Sequence, residues 1–124
     1  INMSIGGTAP TGDAALRRVT ATHGTLVVVA AGNNGAAEPT WPARYATQAW
    51  ANGNMLVVGA VDANRNILGI SNRAGSTANW YLVAPGSSIA STYGSGYAYM
   101  TGTSMAAPAV SGAAALVFGY WPYL

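Results

Sequence analysis

The chain has 124 residues, of which 51% are apolar and only 6% charged, against about 25% charged in an ordinary soluble domain. That balance excludes a disordered polymer, which joins low hydrophobicity to high charge, and it leaves little polar cover for a small domain standing alone. The net charge of +2 rests on five arginines and no lysine, and only Arg17 and Arg18 are adjacent, so there is no basic stripe for nucleic acid.

Ile1 to Ser4 reads as the tail of a strand that ends at Gly6-Gly7. Asp13 is placed to cap a helix running to about Thr22, with Ala14, Ala15, Leu16 and Val19 on one side and His23-Gly24 ending it. Leu26 to Ala30 is a continuous valine-rich run of the kind that suits a strand buried on both faces of a parallel sheet. Gly32-Asn33-Asn34-Gly35 stops it with turn chemistry. A loop follows from Ala36 to about Asn54, and Met55 to Val61 is a second buried-strand pattern. Asp62 to Asn66 is a turn, and short strands are expected over Ile67 to Ser71, Trp80 to Ala84, Ile89 to Thr92 and Tyr97 to Met100. The last element is a helix from about Thr103 to Gly119, carrying small residues at Ala106, Ala107, Gly112 and Ala113.

From Ala74 to Leu124 there is no Asp, Glu, Lys, Arg or His, so the late helix should be central and buried, inside something larger. No segment offers the roughly 20 predominantly apolar residues of a membrane span. The run Leu26 to Gly32 is too short, and Met105 to Gly119 contains Pro108 and Ser111. There is no cysteine, hence no disulfide, thiolate nucleophile or Cys-ligated zinc. The order strand, helix, strand, loop, strand, late helix reads as α/β.

Two phrases carry chemistry. In Gly102-Thr103-Ser104-Met105-Ala106-Ala107-Pro108, Ser104 falls in the first turn of the late helix. Unpartnered backbone N–H groups and the helix dipole concentrate positive potential there, which stabilises a developing alkoxide or oxyanion. Gly102 lets a substrate come close to the backbone. Read alone, Thr103 or Ser104 is better taken as a helix N-cap that satisfies helix amides, given how common such caps are. Ala30-Ala31-Gly32-Asn33-Asn34-Gly35 lies just past the carboxyl end of a parallel strand, where open α/β sheets bind ligands. An Asn there can point a neutral N–H at negative charge, or can simply serve a turn. Gly32 to Gly35 lacks the G-x-G-x-x-G spacing of a dinucleotide site.

Taken together these phrases resemble the subtilisin-like serine peptidases (subtilases), over most of the chain. Asn2 to Gly7 looks like that family's substrate-binding strand, Val27 to Gly35 its oxyanion-asparagine segment, and Met55 to Asp62 a strand and turn of its fold. Val83 to Gly86 and Gly102 to Pro108 look like the approach to its nucleophile and the nucleophile motif. Tyr93 to Met100 is worded like some extracellular bacterial members that carry a translocating barrel. The resemblance implies a three-layer fold with a largely parallel sheet, of which residues 1–124 would be the C-terminal portion of a single catalytic domain.

It implies Ser104 as nucleophile and Asn33, with the Ser104 backbone N–H, as the oxyanion hole. Ser4, Ile5 and Gly6 would pair with an extended substrate. Ala30, Ala31 and Gly32 would form the other wall of the specificity pocket, with Thr40 near its base and Gly102 and Thr103 beside the nucleophile. Small wall residues suggest acceptance of large apolar side chains. Trp41-Pro42 matches a position where the family can hold a cis bond.

A serine nucleophile needs a base and an orienting carboxylate. The only candidates before Asn33 are Asp13 and His23, which match a surface helix of the family, so the catalytic Asp and His are expected upstream of Ile1 or on another chain. Ala109 stands where the family often has His after the motif's proline. The implied partners are a peptide or protein substrate and the upstream part of the same domain, with no nucleic acid. No cofactor is implied for catalysis. A structural calcium is a family trait, and the loop near Ala43 and Tyr45 resembles a region that binds cations through carbonyls. The implied location is outside a bacterial cell, secreted or at its surface. Two other readings are a pseudo-peptidase that kept the pocket without catalysis and a fragment that self-associates over an exposed sheet edge.

Overall fold

Two valine-rich runs build the centre of the molecule. In a computed structural model that describes residues 1–124, they form β2 (Val27–Ala30) and β3 (Met55–Val61), flanked by β1 (Asn2–Met3) and β4 (Tyr81–Pro85). The sheet order is β1-β2-β3-β4 and every pairing is parallel, with Asn2 beside Val28, Val29 beside Val57 and Gly59 beside Val83.

Alternate residues of a strand face opposite sides, and both sides are covered here. Val27, Val29, Met55 and Val57 pack with Leu16 of α1 (Asp13–Thr20) and with Ala43, Tyr45 and Ala46 of a 3-10 helix at Ala43–Thr47. Val28, Ala30, Val58, Ala60 and Ala84 pack on the opposite side with Ala106, Ala107 and Val110 of α2 (Thr103–Tyr120). The result is three layers: α1 with the 3-10 turns, the parallel sheet, and α2. An antiparallel hairpin, β5 (Ile89–Tyr93) with β6 (Gly96–Met100), forms a separate two-stranded sheet.

The long loop after β2 is organised by aromatic rings. Trp41 and Tyr45 lie with centroids 4.7 Å apart, Tyr45 and Trp50 5.3 Å apart. Arg44 lies 5.6 Å from the Trp41 ring centre and Arg17 5.0 Å from that of Trp50, so two of the few charges are spent on cation–π contacts. The Trp41–Pro42 peptide is cis.

Several elements differ from the sequence reading. Asp13 is the first helical residue and not the cap; Gly12 holds that place at φ 78°, a conformation that suits glycine. α1 stops at Thr20, and His23 lies in the turn beyond it. Ile67 to Ser71 is not a strand: only Ile67 bridges, to Val61, and the rest turns. The turn wins because Ser71 and Asn72 are buried and spend their side chains on backbone groups, Ser71 Oγ accepting from Ala60 N–H at 3.0 Å. Trp80 closes a 3-10 helix (Gly75–Trp80), and β4 begins one residue later.

α2 buries one stripe against the sheet and leaves the rest of its surface open, with Leu116 79% and Tyr120 75% exposed. It is an 18-residue helix apolar enough by composition to cross a membrane, at mean hydropathy 1.2. Its packing on β2, β3 and β4 makes it a layer of this fold.

Candidate active site

Three chain segments meet at the carboxyl end of the parallel sheet: the residues after β1, the residues after β2, and the first turn of α2. This is the edge where open α/β sheets place ligands. A cleft of about 260 Å³ lies between them. Of the residues singled out from the sequence, Ser104 and Asn33 line it, with Ser4, Ile5, Gly6, Ala30, Gly32, Thr40 and Thr103. Ala31 does not: it is fully buried in the core, and its part is to accept the Thr40 N–H at 2.9 Å. Gly102 is buried behind the cleft, close against the Asn33 side chain.

The start of α2 has no side-chain cap, and Gly102 occupies the cap position. Thr103 and Ser104 are therefore both inside the helix, which removes the capping alternative. Thr103 is fully buried and ties the first turn of α2 to the segment after β2. Its N–H and its hydroxyl both donate to Asn33 Oδ1 at 2.8 Å, and its oxygen accepts from Gly32 N–H at 3.2 Å. Two donors converge on one atom of the Asn33 amide, so that atom is the oxygen. The –NH₂ group is thereby turned away from Thr103.

Ser104 is half-buried on a ridge. On one side is the cleft just described; on the other is a second of about 370 Å³ with Met100, Met105, Pro108 and Ala109 on its wall. Ser104 Oγ lies 3.3 Å from Ser4 O, and Ser4 Oγ donates to Ser104 O at 2.9 Å. The Ser104 N–H belongs to the first turn, whose donors have no intrahelical partner. No His, Asp or Glu lines either cleft.

Thr40 lines the first cleft. Its N–H binds Ala31 O, and the next residue, Trp41, exchanges two hydrogen bonds with Gly7. A Cβ added at Gly6 would come within 2.5 Å of Thr40 Oγ1, and one added at Gly32 within 2.9 Å of the same atom. The Thr40 hydroxyl thus stands between the two walls. Gly32 adopts φ 105°, which glycine alone accepts readily.

Two contributors were not found from sequence. Asn34 lines the same cleft. Asn72 accepts from Asn34 N–H at 2.9 Å and from Ala36 N–H at 3.0 Å, which pins the turn after Asn33. Asn72 lies one residue past the strand expected over Ile67 to Ser71, and no local pattern marked its role.

In the loop at Ala43 and Tyr45, Tyr45 O accepts from Gln48 N–H at 3.0 Å and keeps a second lone pair, so cation binding through carbonyls there stays an expectation from the family resemblance. The three carboxylates act elsewhere: Asp13 near Arg17, Glu38 on Ser76, and Asp62 in its own turn.

Comparison with known proteins covers the whole chain. The sequence profile described as the Subtilase family matches residues 1–124. Subtilisin BL of Lederbergia lenta is 44% identical over 119 residues, which is 94% of this chain and 40% of that protein. Among solved structures, the prenylagaramide maturation protease PagA superposes with TM-score 0.81 at 28% identity, over 97% of this chain and 43% of its own. A cold-adapted subtilisin-like serine proteinase gives TM-score 0.80 at 34% identity, over 96% of this chain and 41% of its own. The chain thus spans about two fifths of the length of such relatives.

Proposed function

The chain belongs to the subtilase family, and we propose that it is the C-terminal portion of one catalytic domain, carrying the nucleophile and oxyanion-binding half of a serine endopeptidase. One observation supports this above the others: Thr103 clamps the oxygen of the Asn33 amide, and the same cleft holds Ser104. The amide –NH₂ and the Ser104 N–H are then the two donors of the oxyanion hole.

In this reading Ser104 Oγ adds to the peptide carbonyl, and its proton passes to an imidazole. The carbonyl oxygen, now negative, is held by Asn33 Nδ2–H and Ser104 N–H. The C–N bond breaks as the imidazolium returns the proton to the amine, leaving an acyl ester on Ser104. Water cleaves the ester by the same steps in reverse. The extended substrate lies along Ser4 to Gly6 as an added strand. The imidazole and its carboxylate come from the part of the domain outside residues 1–124, following the family order Asp, His, Ser. No cofactor enters these steps. The bacterial relatives support a secreted or surface location.

The test is Asn33→Ala in the complete catalytic domain. Loss of one such donor in a subtilisin costs about 10²–10³ in turnover. The same fall in kcat with little change in KM is expected here. An unchanged kcat would remove the proposed role of Asn33.

A further inference from the structure

The sixth residue of α2 is Pro108. Proline has no N–H, so the bond that residue 108 would donate to the carbonyl four residues earlier is missing. That carbonyl belongs to Ser104. It accepts instead from the Ser4 hydroxyl, on the segment just past β1, at 2.9 Å. The hydroxyl is itself held: Asn2 Nδ2 donates to Ser4 Oγ at 3.0 Å, and Ser111 Oγ donates to Asn2 Oδ1 at 2.9 Å. Asn2 and Ser4 donate in one direction toward Ser104 on α2, while the Ser111 hydroxyl, 2.9 Å from Asn2 Oδ1, also reaches Ala107 O of its own helix at 3.2 Å. Bonds aligned in this way polarise one another.

We infer that Pro108 and Ser4 are positioning residues for Ser104: the proline opens a helical carbonyl, and the Ser4 hydroxyl takes it and fixes the nucleophile against the substrate-binding segment. This rests on the peptidase reading above. Its consequence is that the segment that aligns substrate and the residue that attacks it are held at one distance. An ordinary helix residue at 108 would donate to the same carbonyl, so the Ser4 hydroxyl would have to share its acceptor with the helix.

The two substitutions have opposite signatures. In the complete catalytic domain, Pro108→Ala restores the helical donor. It should raise the thermal midpoint and lower kcat, with KM little changed. Ser4→Ala removes the donor and should lower kcat by about tenfold to a hundredfold, the scale of a small misplacement of reacting groups. Ser4→Thr keeps the hydroxyl and should recover most of that loss. A merely structural role would move stability and kcat together in Pro108→Ala; that result, or a Ser4→Ala enzyme with unaltered kcat, would overturn the inference. Labelling of Ser104 by a fluorophosphonate in the unmodified domain separates the two levels. If Ser104 labels and Ser4→Ala behaves as the unmodified enzyme, only the positioning role falls. If Ser104 does not label at all, the peptidase reading falls and takes this inference with it.

Discussion

At the scale of single residues, Asn33 depends on Thr103 more than on its own loop. The sequence presents Asn33-Asn34 as a turn, and it is one. The difference between a turn residue and an oriented donor is made by two hydrogens from a residue seventy positions later in the chain. Thr40 shows the opposite case, where position was legible and consequence was not. Glycine and alanine walls suggest room for a large side chain; the Thr40 hydroxyl lies close to both Gly6 and Gly32, and on the proposed peptidase reading it would limit the depth of that slot. The complete domain is therefore expected to prefer alanine to phenylalanine before the scissile bond. Thr40→Gly should raise the phenylalanine-to-alanine ratio of kcat/KM by about 10- to 200-fold, the range for a methylene-sized change in a pocket. Matched peptide anilides with Ala or Phe at that position measure it. A ratio unmoved by Thr40→Gly would show that the pocket ends elsewhere.

At the scale of elements, the strands were legible where burial is two-sided. β3 occupies the residues expected, because a run such as Met-Leu-Val-Val-Gly-Ala-Val has no polar face to expose. The reading failed between β3 and β4, where buried polar side chains replace ladder pairing. There Tyr81 fits into the space left by Gly59 and donates to Asn72 O at 2.7 Å. Burial pushes its hydroxyl above the usual value of 10.0, only partly offset by Ser71 and Arg73. The unfolded chain then ionises Tyr81 at lower pH than the folded one. The stabilisation is complete below about pH 10 and is lost as pH rises through the folded value. Thermal midpoints between pH 9 and 12 should fall more steeply in the parent than in Tyr81→Phe, which has no proton there to lose. Parallel slopes would contradict the assignment. α2 was placed correctly at its start, where Gly102 holds the cap position and Thr103-Ser104 open a run of small residues. Within this chain one stripe of it, Thr103, Ala106, Ala107 and Val110, is buried, and the expectation of a helix interior to something larger concerns the complete domain.

At the scale of the whole molecule, composition and structure agree on one point. The chain has few charges, and its apolar surface is not all covered: Leu116, Tyr120, Tyr123 and Leu124 stand exposed on and beyond α2. Beside β1 lies an apolar groove of about 310 Å³ lined by Met3, Ala15, Leu16 and Val19. β1 itself pairs with β2 alone, leaving its outer edge free. The proposal assigns these surfaces to the remainder of the catalytic domain, together with the base that Ser104 lacks in both neighbouring clefts. The most direct measurement is the rate at which a fluorophosphonate probe labels Ser104, in the complete domain and in residues 1–124 alone. Fast labelling of the complete domain, abolished by Ser104→Ala, with slow labelling of the isolated chain, is the predicted result. Equal and rapid labelling of both would contradict it.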